Sequence, residues 1–212
     1  MMAEYVQPVL VSSSGSHEDT VLAVAKSVVT LWREDREDSC WAEWLSGPFT
    51  KSVRRVKPAR LTRIVTESDQ PTSVVEIQES CAVAFRPMPT DSFPADVARA
   101  QVSGTVFPRT AWQFLTPMMV PSLPAGVTVL VVSPSLEAAM TTGKTSAQAA
   151  HALLAVCLRS EEANASVNLD RVVIMKAESQ ALFDELKPVA RAWIRDAGRT
   201  EIEPGSVTFL TL

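Results

Sequence analysis

Cysteine and histidine are scarce here, and the sequence has no long apolar run. Cys40, Cys81 and Cys157 are odd in number, widely spaced and without a CxxC pair, which argues against a disulfide framework and against a zinc knuckle. Buried thiols are the expected state. The second histidine, His17, is too far from His151 in sequence to suggest a metal-binding pair. No apolar stretch approaches the roughly 20 residues that cross a bilayer, and Met1 to Ser16 lacks the basic start and apolar middle of a signal peptide. A soluble, cytoplasmic protein with no membrane contact is expected.

What is present suffices for a folded core: 46% of the 212 residues are hydrophobic and 21% charged, enough for one domain or two small lobes. The net charge of −4 argues against a nucleic-acid partner only if it is evenly spread. It is not. Lys51, Arg54, Arg55, Lys57, Arg60 and Arg63 follow one another without an intervening acid, just after the acidic Glu34, Asp35, Glu37 and Asp38. Such a stretch is either a solvated helix face or a phosphate-contacting surface.

Tyr5 to Ser12 reads as a strand, and Ser16 with Asp19 as the cap of a helix whose inner face is Val21, Ala25, Val28 and Trp32. Thr50 is expected to start a helical segment interrupted at Pro58. Ser73 to Gln78 and Ala82 to Arg86 read as strands. Seven of the 14 prolines lie between Pro87 and Pro124, so regular structure there should be short. Beyond this seam, strands at Val127–Ser133, Arg171–Lys176, Val189–Arg195 and Ser206–Leu210 are joined by helices at Gly143–Leu158 and Glu178–Lys187 and by a Pro204-Gly205 turn. This alternation predicts an α/β fold, a three-layer αβα arrangement with a mixed sheet. Residues 1–90 are expected to form an αβ lobe, 91–125 a proline-rich connection and 126–212 a second αβ domain, with the first lobe a degenerate repeat of similar order.

Two segments are not explained by core packing. In Gly143-Lys144-Thr145-Ser146-Ala147-Gln148, the helix start is capped by Thr141 or Thr142, and its unpaired N–H groups suit an anion. Lys144, Gln148 and His151 share one helical face, which is equally the pattern of a solvated stripe. The segment is not a Walker A loop. That loop needs a glycine where this chain has Ala138, and the next strand ends without an aspartate for magnesium. The second segment runs from Asp196 at a strand end through Gly198, Arg199, Thr200 and Pro204-Gly205 to Ser206 and Thr208. A plain hairpin would need the glycine and proline, but not Asp196, Arg199 and Thr200 together.

These residues resemble the archaeal and eukaryotic type of peptidyl-tRNA hydrolase. That family has a helix opening Met-Gly-Lys-Gly-Lys-x-Ala-Ala-Gln and a later Asp-Ala-Gly-Arg-Thr-x-Ile-x-Pro-Gly-Ser-x-Thr; here Met140 to Gln148 and Asp196 to Thr208 occupy those places. The resemblance covers about Val127 to Leu212, as in a divergent member with an N-terminal extension. The family's first lysine is Thr142 here, its second is kept as Lys144, and the family usually continues past the position of Leu212.

The resemblance implies hydrolysis of the ester between a peptide and the 3′-terminal ribose of tRNA, without metal or organic cofactor. Attack by water builds an oxyanion, which calls for a water-orienting carboxylate and a cation or donor. On that reading Asp196 orients the water with Thr200 and Thr208, and Lys144 steadies negative charge. Gly143, Gln148, His151, Arg199 and Ser206 hold the substrate, and Arg54, Arg55 and Lys57 supply phosphate contacts. The alternative is a degenerate relative that binds tRNA or a protein without catalysis. The chain is expected to be a monomer with an internal pseudo-repeat, or a homodimer.

Overall fold

A computed structural model describes residues 4–102, 104–197 and 201–212. The first half is built from β1 (Tyr5–Ser12), α1 (His17–Asp35), α2 (Ser39–Ser46), β2 (Thr50–Val56), α3 (Pro58–Glu67), β3 (Thr72–Ile77) and β4 (Ser80–Phe85). The proline-rich stretch carries only short pieces: β5 (Met88–Pro89), α4 (Ala95–Ala98), β6 (Phe114–Leu115) and isolated turns. The second half holds β7 (Thr128–Val132), α5 (Pro134–Glu137), α6 (Thr142–Glu162), β8 (Val172–Ala177), α7 (Gln180–Leu186), β9 (Ala192–Arg195) and β10 (Val207–Thr211).

The main strands of the first half lie in the order β2-β1-β4-β3, those of the second in the order β8-β7-β10-β9. In each sheet the first pair is parallel and the other two are antiparallel. Each sheet gains one short extra strand, β5 beside β1 and β6 beside β8. β1 is buried on both faces, and its alternation shows why: Val9 and Val11 enter one apolar cluster, Val6 and Leu10 another. Pro8, with no N–H to give, sits where the antiparallel partner of β1 changes from β4 to β5.

The largest cluster lies between the two sheets and contains the inner faces of α1 and α6. Ala23, Ala25 and Ser27 on α1 and Ala149, Ala150 and Ala152 on α6 are fully buried, and their small side chains let the helices pack closely in one shared layer. A second cluster packs Leu61, Ile64 and Val97 of α3 and α4 on the outer face of the first sheet. A third packs Leu182, Phe183 and Leu186 of α7 on the outer face of the second. Each half is thus an αβα stack, and the middle helical layer is common to both.

One sequence expectation is corrected. Residues 50–56 are not helical but form β2, paired in parallel with β1. Val53 faces the shared core and Val56 the outer cluster, so branched residues on alternating faces outweighed the polar ones between them. Pro58 does not interrupt a helix; it opens α3, at the position where its missing N–H costs nothing. Much of the acidic stretch is helical: α1 runs to Asp35, and Asp38 caps the unforeseen α2 through Cys40 N–H. Among the described residues no helix is long and apolar enough to cross a membrane.

Candidate active site

A cleft of about 450 Å³ opens over the first turns of α6. Gly143, Lys144, Ala147, Gln148 and His151 form its floor; residues 48–53, leading into and along β2, and residues 193–197 at the end of β9 form its walls. Both strands are sheet edges, one from each half of the chain. The floor begins with a well-made helix start. Thr141 Oγ1 accepts from Lys144 N–H at 3.2 Å, and the Glu201 carboxylate accepts from Thr141 N–H at 2.7 Å and from its hydroxyl at 2.8 Å. A carboxylate at this end complements the helix dipole and ties the loop after β9 to α6. Gly143 fits because Thr105 approaches closely: a Cβ there would lie 3.2 Å from Thr105 Cβ.

Asp196 is anchored by its own backbone. Its N–H donates to Ser206 C=O at 2.9 Å, and its C=O accepts from Gly205 N–H at 2.8 Å, with Gly205 at φ +79° in the turn. Its carboxylate forms an ion pair with Lys144 and accepts from Gln148 Nε2 at 2.9 Å. Gln148 Oε1 in turn accepts from the Thr208 hydroxyl at 2.9 Å, which forces the amide to turn its NH₂ toward Asp196. Asp196 is only 4% exposed, a burial that a carboxylate tolerates when cation and amide donors surround it. Helix α6 and the β9–β10 hairpin thereby hold one buried carboxylate against one ammonium at the rim of an open cleft.

Further along the floor, the His151 ring packs 4.5 Å from that of Phe49, and its Nδ1 lies 2.8 Å from Lys51 Nζ. Burial, followed by the Lys51 and Lys144 charges, holds the His151 pKa well below the usual histidine range. Burial likewise pulls Lys51 well below the ordinary lysine value. Lys51 Nζ sits 4.2 Å from the Phe49 ring centre and 4.4 Å from that of Trp44.

The structure brings together Lys144, Asp196, Gln148, Thr208, Gly143 and His151. Thr208 is fully buried behind Gln148 and does not line the cleft. Ser206 contributes a backbone carbonyl. Gly198, Arg199 and Thr200 lie outside the described residues. Arg54, Arg55 and Lys57 do not line the cleft: Arg54 donates to the carbonyls of Val97 and Ala98, Arg55 to Gln101, and Lys57 is exposed at the start of α3. Thr142, at the place of the lysine in the resembled motif, is wholly buried, its hydroxyl accepting from Phe107 N–H at 3.0 Å and meeting His17 Nδ1 at 2.9 Å. Sequence reasoning missed Phe49, Trp44 and Glu201, and placed Lys51 only within a basic run. The cluster of Trp41, Trp44 and Phe49 just before that run was the available signal.

Among the described residues no group of three histidine, cysteine, aspartate or glutamate side chains is placed to hold a metal ion. The family model described as peptidyl-tRNA hydrolase PTH2 matches residues 127–212, the segment from β7 to the last residue. A peptidyl-tRNA hydrolase of Methanopyrus kandleri is 37% identical over 93 residues, a match covering 39% of this chain and 78% of that protein. No solved structure matches the chain.

Proposed function

The chain belongs to the PTH2 family of peptidyl-tRNA hydrolases, and from that premise we propose that it hydrolyses the ester joining a peptide to the 3′-terminal ribose of tRNA. The observation that carries this reading is the chain Thr208–Gln148–Asp196–Lys144, whose last three residues line an open cleft.

In the proposed reaction, a water molecule held by the Asp196 carboxylate attacks the ester carbonyl carbon. The carboxylate takes the water's proton as the new C–O bond forms, and charge collects on the carbonyl oxygen. The Lys144 ammonium, at the N-terminal end of α6 with the helix dipole behind it, stabilises that oxyanion. The intermediate then collapses. The bond to the ribose oxygen breaks, that oxygen receives the proton, and free peptide and tRNA leave. Gln148 fixes the carboxylate, and Thr208 fixes Gln148, so Thr208 is a positioning residue. Arg199 and Thr200 join the proposal by their place in the segment that follows Asp196.

Purified protein incubated with N-acetylaminoacyl-tRNA tests the proposal directly. Asp196→Ala should lower kcat by roughly 10²- to 10⁴-fold, and Lys144→Ala by roughly 10²- to 10³-fold. Release that is unchanged in both variants overturns the site. Absence of release by the native chain, with tRNA still bound, establishes instead a binding module of the same fold.

A further inference from the structure

The cleft wall supplied by the first half carries a cation that the reaction outlined above does not use. Lys144 is neutralised by Asp196, but among the described residues Lys51 has no carboxylate within ion-pair distance. Its ammonium is instead enclosed by two aromatic rings and one imidazole nitrogen. Phe49, which supplies one of those rings, has φ 61°, a left-handed backbone that a bulky side chain rarely adopts. Such strain gathers where a position is held for a purpose other than stability. Here it places one ring against Trp44, Lys51 and His151 at once.

We propose that Lys51, from the first half, and His151 hold the phosphate of the 3′-terminal nucleotide of tRNA, so that both halves of the chain build one substrate site. This rests on the hydrolase reading for the identity of the ligand. The nearest anion to the ester is the phosphate on the far side of the same ribose, whereas the peptide side is neutral amide. Lys144 and His151 are separated by seven residues of α6, about 10 Å along its axis at the ordinary helical rise. That separation leaves room for a ribose between the reacting centre and a phosphate. With Lys51 protonated its Nζ can only donate to His151 Nδ1, and the imidazole is then the Nε2–H tautomer, a second, neutral donor. Burial acts against the Lys51 charge, the two ring faces favour it, and an entering phosphate supplies the counter-charge.

A binding experiment with deacylated tRNA separates this inference from the chemistry, because no bond is broken. Fluorescence anisotropy across a salt series compares the native chain with Lys51→Gln, Lys51→Arg and Arg63→Gln. Arg63 pairs with Asp96 away from the cleft and serves as the control for lost charge. Lys51→Gln should raise Kd by roughly tenfold and flatten the log–log salt dependence by roughly 0.7. Lys51→Arg should keep most of the affinity, Arg63→Gln should match the native chain, and in hydrolysis Lys51→Gln should raise KM more than it lowers kcat. Thermal melting confirms that each variant is folded. If Lys51→Gln binds with native affinity and salt slope, or Arg63→Gln loses as much, the inference fails even if the enzyme is active. Lys51-dependent binding by a chain that releases no peptide would retain the inference and overturn the hydrolase reading.

Discussion

Replacing His17 by asparagine should flatten the acid limb of the stability curve. His17 opens α1, is fully buried, and meets Thr142, the first residue of α6, through Nδ1 at 2.9 Å. Its other face is closed by Trp112, edge-on at 5.5 Å between ring centres. Among the described residues the carboxylate close to Nε2 is that of Glu137, at 3.6 Å, and it is already engaged by Arg109 and Lys176. Burial, helped by the Arg109 charge, therefore lowers the His17 pKa from 6.5 to about 4. The sign follows from proton binding: between these values the unfolded chain takes up a proton that the folded chain refuses. The contribution is complete above pH 6.5, is lost as the pH falls toward 4, and does not change further below that. At 1.36 kcal/mol per unit the loss is about 3 kcal/mol for this one ring. Urea denaturation at pH 7.5, 5.5 and 4.5 measures it. Asparagine keeps a polar partner for Thr142 but cannot titrate, so the native protein should lose about 3 kcal/mol more than the variant over that range. His151 is present in both proteins and cancels in the difference. Parallel curves for the two proteins would refute the argument that His17 is kept neutral at the meeting point of the two halves.

Two further substitutions probe the site. Thr208→Val removes the hydroxyl that orients Gln148 and leaves a buried amide oxygen unpaired, so stability should fall by about 1–3 kcal/mol. The kcat for N-acetylaminoacyl-tRNA should fall with KM little changed, and Thr208→Ser should recover it; a loss expressed only in KM would place Thr208 outside the positioning of Asp196. Glu201→Gln takes the charge off the start of α6 and weakens its hold on Thr141, so a melting experiment should show a loss of about 0.3–1 kcal/mol. A melt unchanged from the native protein would show that the latch contributes nothing.

Which parts of this protein were legible in its sequence depended on how far their causes reached along the chain. β7, α6, β8, α7 and β10 follow from local periodicity and from turn residues such as Gly205. β9 is shorter than expected because residues 187–189 form a turn of 3₁₀ helix, with Pro188 at its start, before the strand begins. β2 was misread because its bases Lys51, Arg54 and Arg55 have no strict alternation. Its strand character comes from pairing with β1, some forty residues earlier. The convergence of Lys144, Gln148 and Asp196 was readable, since helical spacing puts the first two on one face and a strand end presents the third. Lys51, Phe49 and Trp44 were readable only as a basic run beside an aromatic cluster, with nothing local to join them to α6. Phe49 and Lys51 reach the cleft, with Trp44 buried against them, only because α6 lies between its own sheet and the other one, a relation between layers that no local pattern encodes.

That sandwiched helix has a mechanical consequence. A sheet sliding by even one residue along the shared helical layer would carry Phe49 and Lys51 away from His151, while Asp196, Gln148 and Thr208 moved together with α6 and stayed in register. Such a motion would dissolve the cleft's far wall before it disturbed the reacting groups. With the proposed roles, grip on the nucleic acid and readiness for chemistry would be separable properties, held apart by the seam between the halves.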